Sequence, residues 1–175
     1  MNKPLFRMAV FSLVVLICFG VGCKKESAEK TETETTAQEE IQPAEIPQVV
    51  MDALKAKFPD AVIEKWTKEK EGEVVLYDVE FQQLGHKFEA DIKEDGSIHN
   101  WEQAVIAEEL PDVVRQAAEK AYPNATFKEV MMITAVADGQ ETLEGYEIVL
   151  QTADEKEVEI TIAPDGTMLE DSGKE

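Results

Sequence analysis

The architecture of this chain can be worked out from one segment, Leu110-Pro-Asp-Val-Val-Arg-Gln-Ala-Ala-Glu-Lys-Ala-Tyr-Pro-Asn-Ala125. The same form occurs 64 positions earlier, as Ile46-Pro-Gln-Val-Val-Met-Asp-Ala-Leu-Lys-Ala-Lys-Phe-Pro-Asp-Ala61. A proline, a Val-Val pair, an alanine one turn later and an aromatic-proline pair coincide in the two segments. Self-similarity of this kind marks repeated supersecondary units. We therefore predict two tandem copies of one unit, over residues 46–105 and 106–175.

Each copy begins with a helix and continues in strands. Pro47 and Pro111 stand in the first turn, where a helix tolerates proline, and apolar residues then recur at helical spacing. Pro59 and Pro123 end the two helices, because proline disfavours helical geometry in the preceding residue. The following segments alternate apolar and charged residues with period two, which is typical of half-buried strands. These strands are predicted at 61–68, 75–81, 88–92, 97–101, 125–133, 146–150, 158–162 and 167–169.

The predicted fold is therefore of the α+β class. Its plan is α-β-β-β-β, written twice, with each helix packed on one face of an antiparallel four-stranded sheet. The other face of such a sheet is left to solvent. Residues 102–109 join the two copies.

The charge of the chain limits the kinds of partner it can have. Its 175 residues carry a formal net charge of −20, or −22 once residues 1–22, with Lys3 and Arg7, are removed. Such acidity argues against nucleic-acid binding, which needs clustered lysine and arginine. It favours attraction to a cationic partner or to metal ions, and a solvated acidic surface is the plainer alternative.

The sequence also predicts a protein that is not an enzyme and needs no cofactor. Its two cysteines, Cys18 and Cys23, lie near the N-terminus, and His86 and His99 are its two histidines. Nucleophile–base pairs, glycine-rich phosphate loops and histidine-rich metal sites are absent from the sequence. Its carboxylates lack the apolar surroundings that would raise a pKa for acid-base work.

The N-terminus carries an export signal. A short basic segment precedes an apolar run that ends at Gly22, which is typical of a signal peptide over residues 1–22. Gly20-Val-Gly-Cys23 resembles a bacterial lipobox, although Gly20 stands where leucine is usual. The resemblance implies lipidation of Cys23 and, because Lys24 follows it, anchoring to the outer membrane, on its periplasmic or surface side. The alternative is ordinary cleavage and a free protein.

Residues 23–45 are predicted to form a disordered acidic tether. The segment contains one large apolar residue, Ile41, among many glutamates and threonines. So little apolar surface does not offset the entropy lost on ordering. The tether would hold the folded repeats away from a membrane.

The two copies resemble the PepSY-like family. The family pattern joins a proline-led apolar helix, an aromatic-Pro-x-Ala segment, a Tyr-x-Val strand and a closing Asp-Gly hairpin. It is met over residues 46–170, with the hairpins at Asp95-Gly96 and Asp165-Gly166. The resemblance implies a fold like the β-lactamase inhibitor protein and kinship with propeptide domains of thermolysin-type peptidases. It carries over no catalytic residue.

Candidate partner-binding residues lie on the strands of the first copy. The outward face is expected to carry Glu64, Asp78, Glu80 and Glu89. Simple alternation from Ala61 and Ile63 also places Trp66 on that face, and Trp101 would lie near it. Aromatic residues on an open sheet are typical anchors of a protein interface. The alternative for both tryptophans is packing between the repeats or against residues 102–109.

The functional prediction is a non-catalytic protein-binding module of the cell envelope. The family resemblance implies an inhibitor or regulator of a periplasmic or extracellular hydrolase such as a peptidase. Two rivals stay open, because acidic strands also suit weak calcium binding or sensing, and the protein could be a structural envelope component. No metal site is predicted from specific residues.

Overall fold

The computed structural model describes residues 39–71 and 73–174, and this part of the chain forms two α-helices and nine strands. Short 3-10 turns stand at Pro43–Glu45, Ala107–Glu109 and Ser172–Lys174. The elements are β1 (Glu39–Glu40), α1 (Gln48–Lys57), β2 (Val62–Glu71), β3 (Val74–Gln83), β4 (His86–Lys93), β5 (Ile98–Ala104), α2 (Asp112–Ala121), β6 (Thr126–Ala137), β7 (Gln140–Gln151), β8 (Glu157–Ile162) and β9 (Met168–Asp171).

The strands form one antiparallel sheet in the order of the sequence, β1 to β9. The predicted α+β class is confirmed. The sequence led us to expect two four-stranded sheets, but β5 pairs with β6, from Asn100 opposite Ala135 to Ala104 opposite Met131. An unpaired edge would expose a row of backbone N–H and C=O groups, and this pairing satisfies them. The strands that follow α1 and those that follow α2 therefore share a single surface.

The two helices begin and end at matching residues. Pro47 and Pro111 occupy the N-cap positions, and the aromatic residues Phe58 and Tyr122 occupy the C-cap positions. The backbone N–H of Phe58 donates to the carbonyl oxygen of Leu54 over 2.7 Å, closing the last turn of α1. The proline that follows each aromatic residue prevents the helix from continuing. These boundaries agree with those predicted from the sequence.

Each helix covers its own hydrophobic core. Val50 and Leu54 of α1 pack with apolar residues of β2 to β5, and Val114 and Ala118 of α2 pack with those of β6 to β8. Burial of these side chains supplies the main driving force for folding.

Both cores lie on the same face of the sheet. Trp101 on β5 packs against the first core, and Gln103, two residues later, points to the same side. Gln103 stands opposite Met132, which packs against the second core. The opposite side of the sheet, which we call the open face, contributes no residue to these two clusters, but its apolar residues Leu76, Met131, Ile133 and Val149 are themselves buried.

The aromatic residues that cap the helices are held differently. The Phe58 ring lies 4.7 Å from Phe81 and 6.0 Å from Trp101, measured between centroids. Tyr122 instead donates a hydrogen bond through its hydroxyl to Asp171, and burial together with this bond raises the pKa of Tyr122 to about 12. The tyrosine hydroxyl thus fixes the end of β9.

Part of the segment predicted to be disordered, residues 39–45, is packed on the folded chain. Glu39 and Glu40 pair with Lys68 and Thr67 on β2, and Ile41 is buried in the first core. The prediction of disorder is therefore wrong for residues 39–45, because the apolar side chain of Ile41 finds a place under the sheet edge. The predictions for the signal peptide, for Cys23 and for the rest of the tether lie outside the described residues.

The β6–β7 hairpin is longer than predicted. We expected loops between residues 133 and 146, but both strands continue to a turn at Asp138-Gly139. The extended hairpin reaches the first helix, where Lys57 forms an ion pair with Glu141. In the part of the chain that the structure describes, none of the helices has the length and apolar character needed to cross a membrane.

Candidate protein-binding face of the sheet

The open face is defined by strand alternation and by cross-strand register. On β3, Asp78 and Glu80 alternate with Tyr77, Val79 and Phe81, which belong to the first core. Asp78 and Glu80 therefore point to the side away from α1. Cross-strand pairing extends their two rows over neighbouring strands. One row is Thr67, Asp78, Asp91 and Asn100, and the next is Lys65, Glu80, Glu89 and Glu102.

The second half of the sheet continues this acidic surface. Glu147 and Val149 alternate with core residues of β7, so they also lie on the open face. The rows here are Met131, Glu147, Thr161 and Glu170, and then Glu129, Val149 and Glu159. Carboxylates thus extend across the open face from β3 to β9, where Asp78, Asp91 and Glu147 are buried among their neighbours and the others are partly exposed.

Trp66 is not on this face, and the position expected from the sequence is wrong. The Trp66 side chain exposes 3% of its surface and belongs to the first core, beneath α1. The cause is a β-bulge in β2: Ile63 pairs with Phe81 and Lys65 pairs with Glu80, so the ladder skips Glu64. One extra residue reverses the alternation, and Trp66 turns to the same side as Ile63.

Trp101 also lies on the side of the helices. It packs against the first core, next to Phe58 and Phe88, and the Lys57 ammonium nitrogen sits 5.1 Å from its ring centroid. That distance is within the range of a cation–π contact. Neither tryptophan is therefore available as an anchor on the open face.

The four predicted carboxylates do come together there. Glu64, the bulge residue, accepts a hydrogen bond from Nε2 of Gln82 over 2.8 Å, and Gln82 lies on the open face. Asp78 accepts one from Thr67 Oγ1 over 2.8 Å. Glu80 and Glu89 stand opposite each other on β3 and β4.

Lys87 is the basic centre of this face. Its ammonium nitrogen lies 3.0 Å from Glu89 Oε1 on the same strand and 2.8 Å from Glu129 Oε1 on β6. Burial lowers the pKa of Lys87, but the hydrogen bonds and charges of Glu129 and Glu89 outweigh burial and raise it above its ordinary value. The pair with Glu129 reaches from β4 to β6, so it ties the two halves of the sheet together. Sequence patterns gave no signal for it, because it depends on the pairing of β5 with β6.

Glu89 occupies an environment that disfavours its charge. Burial raises its pKa, and the nearby carboxylates of Asp78 and Glu80 raise it further, while Lys87 opposes them. A cationic group brought to this row by a ligand would relieve the repulsion.

We expect Glu89→Gln to stabilise the protein at pH 7, by about 0.5–1 kcal/mol. In the folded chain the pKa of Glu89 is raised, so its ionised form costs stability at every pH above that pKa. Below about pH 4, where the unfolded chain also holds the proton, the cost vanishes. Lys87 keeps Glu129 as a partner in the variant. Thermal unfolding of both proteins between pH 3.5 and 8 checks the expectation.

The matched control for this measurement is Glu157→Gln, which neutralises an exposed carboxylate on β8. We expect its stability to follow that of the wild type within about 0.5 kcal/mol. A gain for Glu89→Gln that is equally large at pH 3.5 and at pH 7 would contradict our account of Glu89.

The described residues contain no preformed metal-binding site. Within 39–71 and 73–174, no group of three or more histidine, cysteine, aspartate or glutamate side chains is arranged to hold an ion. The face is instead a broad carboxylate surface, broken by Lys65, Lys87 and Lys93. A surface of this kind suits an extended cationic partner.

Comparison with solved structures shows the fold of the chain. A BLIP-like (β-lactamase-inhibitor-protein-like) protein from Bacteroides fragilis NCTC 9343 matches 72% of this chain and 84% of its own, with 21% identity and a TM-score of 0.52. A protein from Bacteroides eggerthii DSM 20697, provisionally assigned to the periplasm, matches 72% of this chain and 87% of its own, with 18% identity and a TM-score of 0.58. A DUF2874 family protein from Bacteroides uniformis ATCC 8492 matches 71% and 87%, with 18% identity and a TM-score of 0.57.

The chain thus has a BLIP-like fold, as its sequence resemblance predicted. No protein-family model matches it, and no curated protein does. Identities of this size establish the shared fold alone, and function has to be argued from the open face.

Proposed function

We propose that this protein is a non-catalytic binding module of the bacterial cell envelope, which docks a positively charged protein on its open face. The observation that carries the proposal is the carboxylate surface that runs across the sheet opposite both helices. The contact residues that we propose lie on β2, β3 and β4, and they are Glu64, Asp78, Glu80 and Glu89.

The charge balance of the open face supports a cationic partner. Among the side chains that the structure describes, register places eleven carboxylates of β2 to β9 on this face, against three lysines. Four of the carboxylates are buried among their neighbours, namely Glu69, Asp78, Asp91 and Glu147. The other seven are at least partly exposed, namely Glu80, Glu89, Glu102, Glu129, Glu157, Glu159 and Glu170. Complementary charge steers encounter and fixes register between two proteins. The repulsion that raises the pKa of Glu89 would fall when lysine or arginine side chains approach.

The fold supports a more specific version of the proposal. One structural neighbour is BLIP-like, a name that refers to inhibition of a hydrolase. We propose by analogy that this chain inhibits or regulates a periplasmic or extracellular hydrolase such as a peptidase. Export by the predicted signal peptide and lipidation of Cys23 would hold it at the envelope, where such enzymes act.

We also propose that residues 46–105 and 106–175 are two copies of one unit. Matching helix caps support this, as does a shared contact: Gly96 lies against Val49 and Gly166 lies against Val113. Joined edge to edge through β5 and β6, the copies make a surface wider than a unit of about 65 residues could form alone.

Crosslinking from native envelopes tests the proposed function. The full chain serves as bait, beside a variant that carries Glu80→Gln, Glu89→Gln and Glu102→Gln in one row of the open face. We expect the wild type to enrich a basic envelope protein, and the triple variant to recover it at least about tenfold less well. Salt at about 0.5 M should weaken recovery by the wild type, because it screens the charges.

The matched control neutralises three exposed carboxylates elsewhere, with Glu94→Gln, Glu109→Gln and Glu119→Gln. This variant should recover the partner as well as the wild type does. Equal recovery by the open-face variant would refute docking on this face. If no protein is enriched and millimolar calcium raises the melting temperature, cation binding becomes the better account.

A further inference from the structure

The turn between β3 and β4 places Leu84 in a backbone conformation that leucine rarely adopts. Gln83 pairs with His86, and the two residues between them, Leu84 and Gly85, have φ angles of 53° and 84°. Positive φ at both positions defines a type I′ turn, which favours asparagine, aspartate or glycine. In this region the side chain of a bulky residue crowds its own backbone. Leu84 therefore costs conformational free energy.

A second turn of the same kind shows the usual solution. The β6–β7 hairpin turns at Asp138 and Gly139, with φ angles of 53° and 73°. Aspartate tolerates this geometry because its short polar side chain can bond locally. The two turns thus have nearly the same backbone, and they differ in the residue at the first position.

Contacts within the chain do not compensate for leucine at this turn. Leu84 exposes 84% of its surface, so it buries almost no apolar area. The neighbouring Gly85 has no atom within 4 Å of the position that a Cβ would take, so the turn projects freely. An exposed leucine is ordinary by itself. A leucine that is exposed and also held at an unfavourable positive φ points to a contact outside the chain.

The turn lies at the margin of the open face. Gln82, next to the turn, stands opposite Val62 on the open face, one row beyond Glu80 and Lys65. Val62 is itself 67% exposed. An apolar tip therefore stands at the edge of the carboxylate surface.

We propose that Leu84 is an apolar anchor, which enters an apolar pocket on the protein that docks on the open face. The inference rests on the proposed function and specifies the partner: a folded protein whose apolar pocket is bordered by lysine or arginine. Those basic residues would face the row that contains Glu80, Glu89 and Glu102. Binding energy concentrates in a few side chains that become fully enclosed at an interface. A two-residue turn presents such a side chain with little further ordering.

Photocrosslinking in the native host tests the location of the anchor. The full chain carries p-benzoylphenylalanine at position 84, at position 102 on the open face, or at position 138 in the matched turn. We expect positions 84 and 102 to crosslink one and the same protein, identified by mass spectrometry, and position 138 to leave it unlabelled.

Measuring the affinity of variants for the identified protein then tests whether an apolar side chain is needed at position 84. Leu84→Asn should weaken binding about tenfold, although it should raise the melting temperature by about 2–5 °C by relieving the turn. Leu84→Met, which keeps an apolar side chain, should bind within about threefold of the wild type. Asp138→Asn should change neither quantity.

The outcomes separate the two proposals. Crosslinking from position 102 without crosslinking from position 84, or unchanged binding by Leu84→Asn, would overturn the anchor and leave docking on the open face in place. Failure to crosslink from both positions would overturn both proposals.

Discussion

Replacing Trp66 with alanine should lower the free energy of unfolding by about 3–5 kcal/mol, which is close to the whole stability of a small domain. The indole is almost completely buried in the first core, and the small side chain would leave a cavity beneath α1. Neighbouring atoms in a close-packed interior relax only partly into such a space. Chemical denaturation followed by circular dichroism measures the loss.

The control for this change is Val62→Ala on the same strand, at a side chain that is 67% exposed. It should alter stability by no more than about 0.5 kcal/mol. If Trp66→Ala proved no more destabilising than Val62→Ala, the indole could not occupy the core. The alternation-based prediction of Trp66 on the open face would then be restored.

The position of Trp66 shows where sequence reasoning fails along a strand. Period-two alternation is a local rule, and one bulge at Glu64 reverses it for every residue that follows. Polar Glu64 and Lys65 give no local signal of the extra residue. Alternation on β3 has no such interruption, so Asp78 and Glu80 do lie on the side away from the helices, as predicted, although Asp78 is buried there at 7% exposure.

Helices and turns were predictable because their signals lie within a few residues. Pro47 and Pro59 bracket the first helix, and Asp95-Gly96 marks a turn, each through its own backbone chemistry. The joining of all strands into one sheet was not predictable from these signals. It depends on β5 meeting β6, a contact between residues about 30 positions apart, and no short motif encodes it.

For the candidate site, too, local features could be predicted from the sequence and long-range contacts could not. The strand pattern predicted which side of the sheet Asp78, Glu80 and Glu89 lie on, but it could not predict the ion pair of Lys87 with Glu129. Those two residues approach only once β5 has been placed between their strands. Long-range pairing of this kind is specified by the fold as a whole, not by local preference.

Alanine in place of Gly96 or Gly166 should destabilise the protein by about 2–3 kcal/mol at each site. Both glycines have positive φ, 84° and 87°. A Cβ at position 96 would stand 2.8 Å from Val49 Cγ2 and 3.0 Å from the Val49 carbonyl oxygen. A Cβ at position 166 would stand 2.7 Å from Val113 Cγ2 and 3.2 Å from the Val113 carbonyl oxygen. Each closing turn is therefore pressed against the first turn of its helix. Equilibrium unfolding in urea measures both variants.

Gly85→Ala separates the two causes of this loss, because Gly85 has the same φ of 84° as Gly96 but nothing within 4 Å of its Cβ position. It should lose only the backbone contribution, about 1 kcal/mol. The additional loss of stability in Gly96→Ala is then due to the contact with Val49. In a double-mutant cycle, Val49→Ala should recover part of that additional loss, because the substitution removes the Cγ2 atom. Equal losses at Gly85 and Gly96 would show that the turn does not bear on the helix. Since the same contact recurs at Gly166 and Val113, such a result would also remove one support for the two-copy origin of the fold.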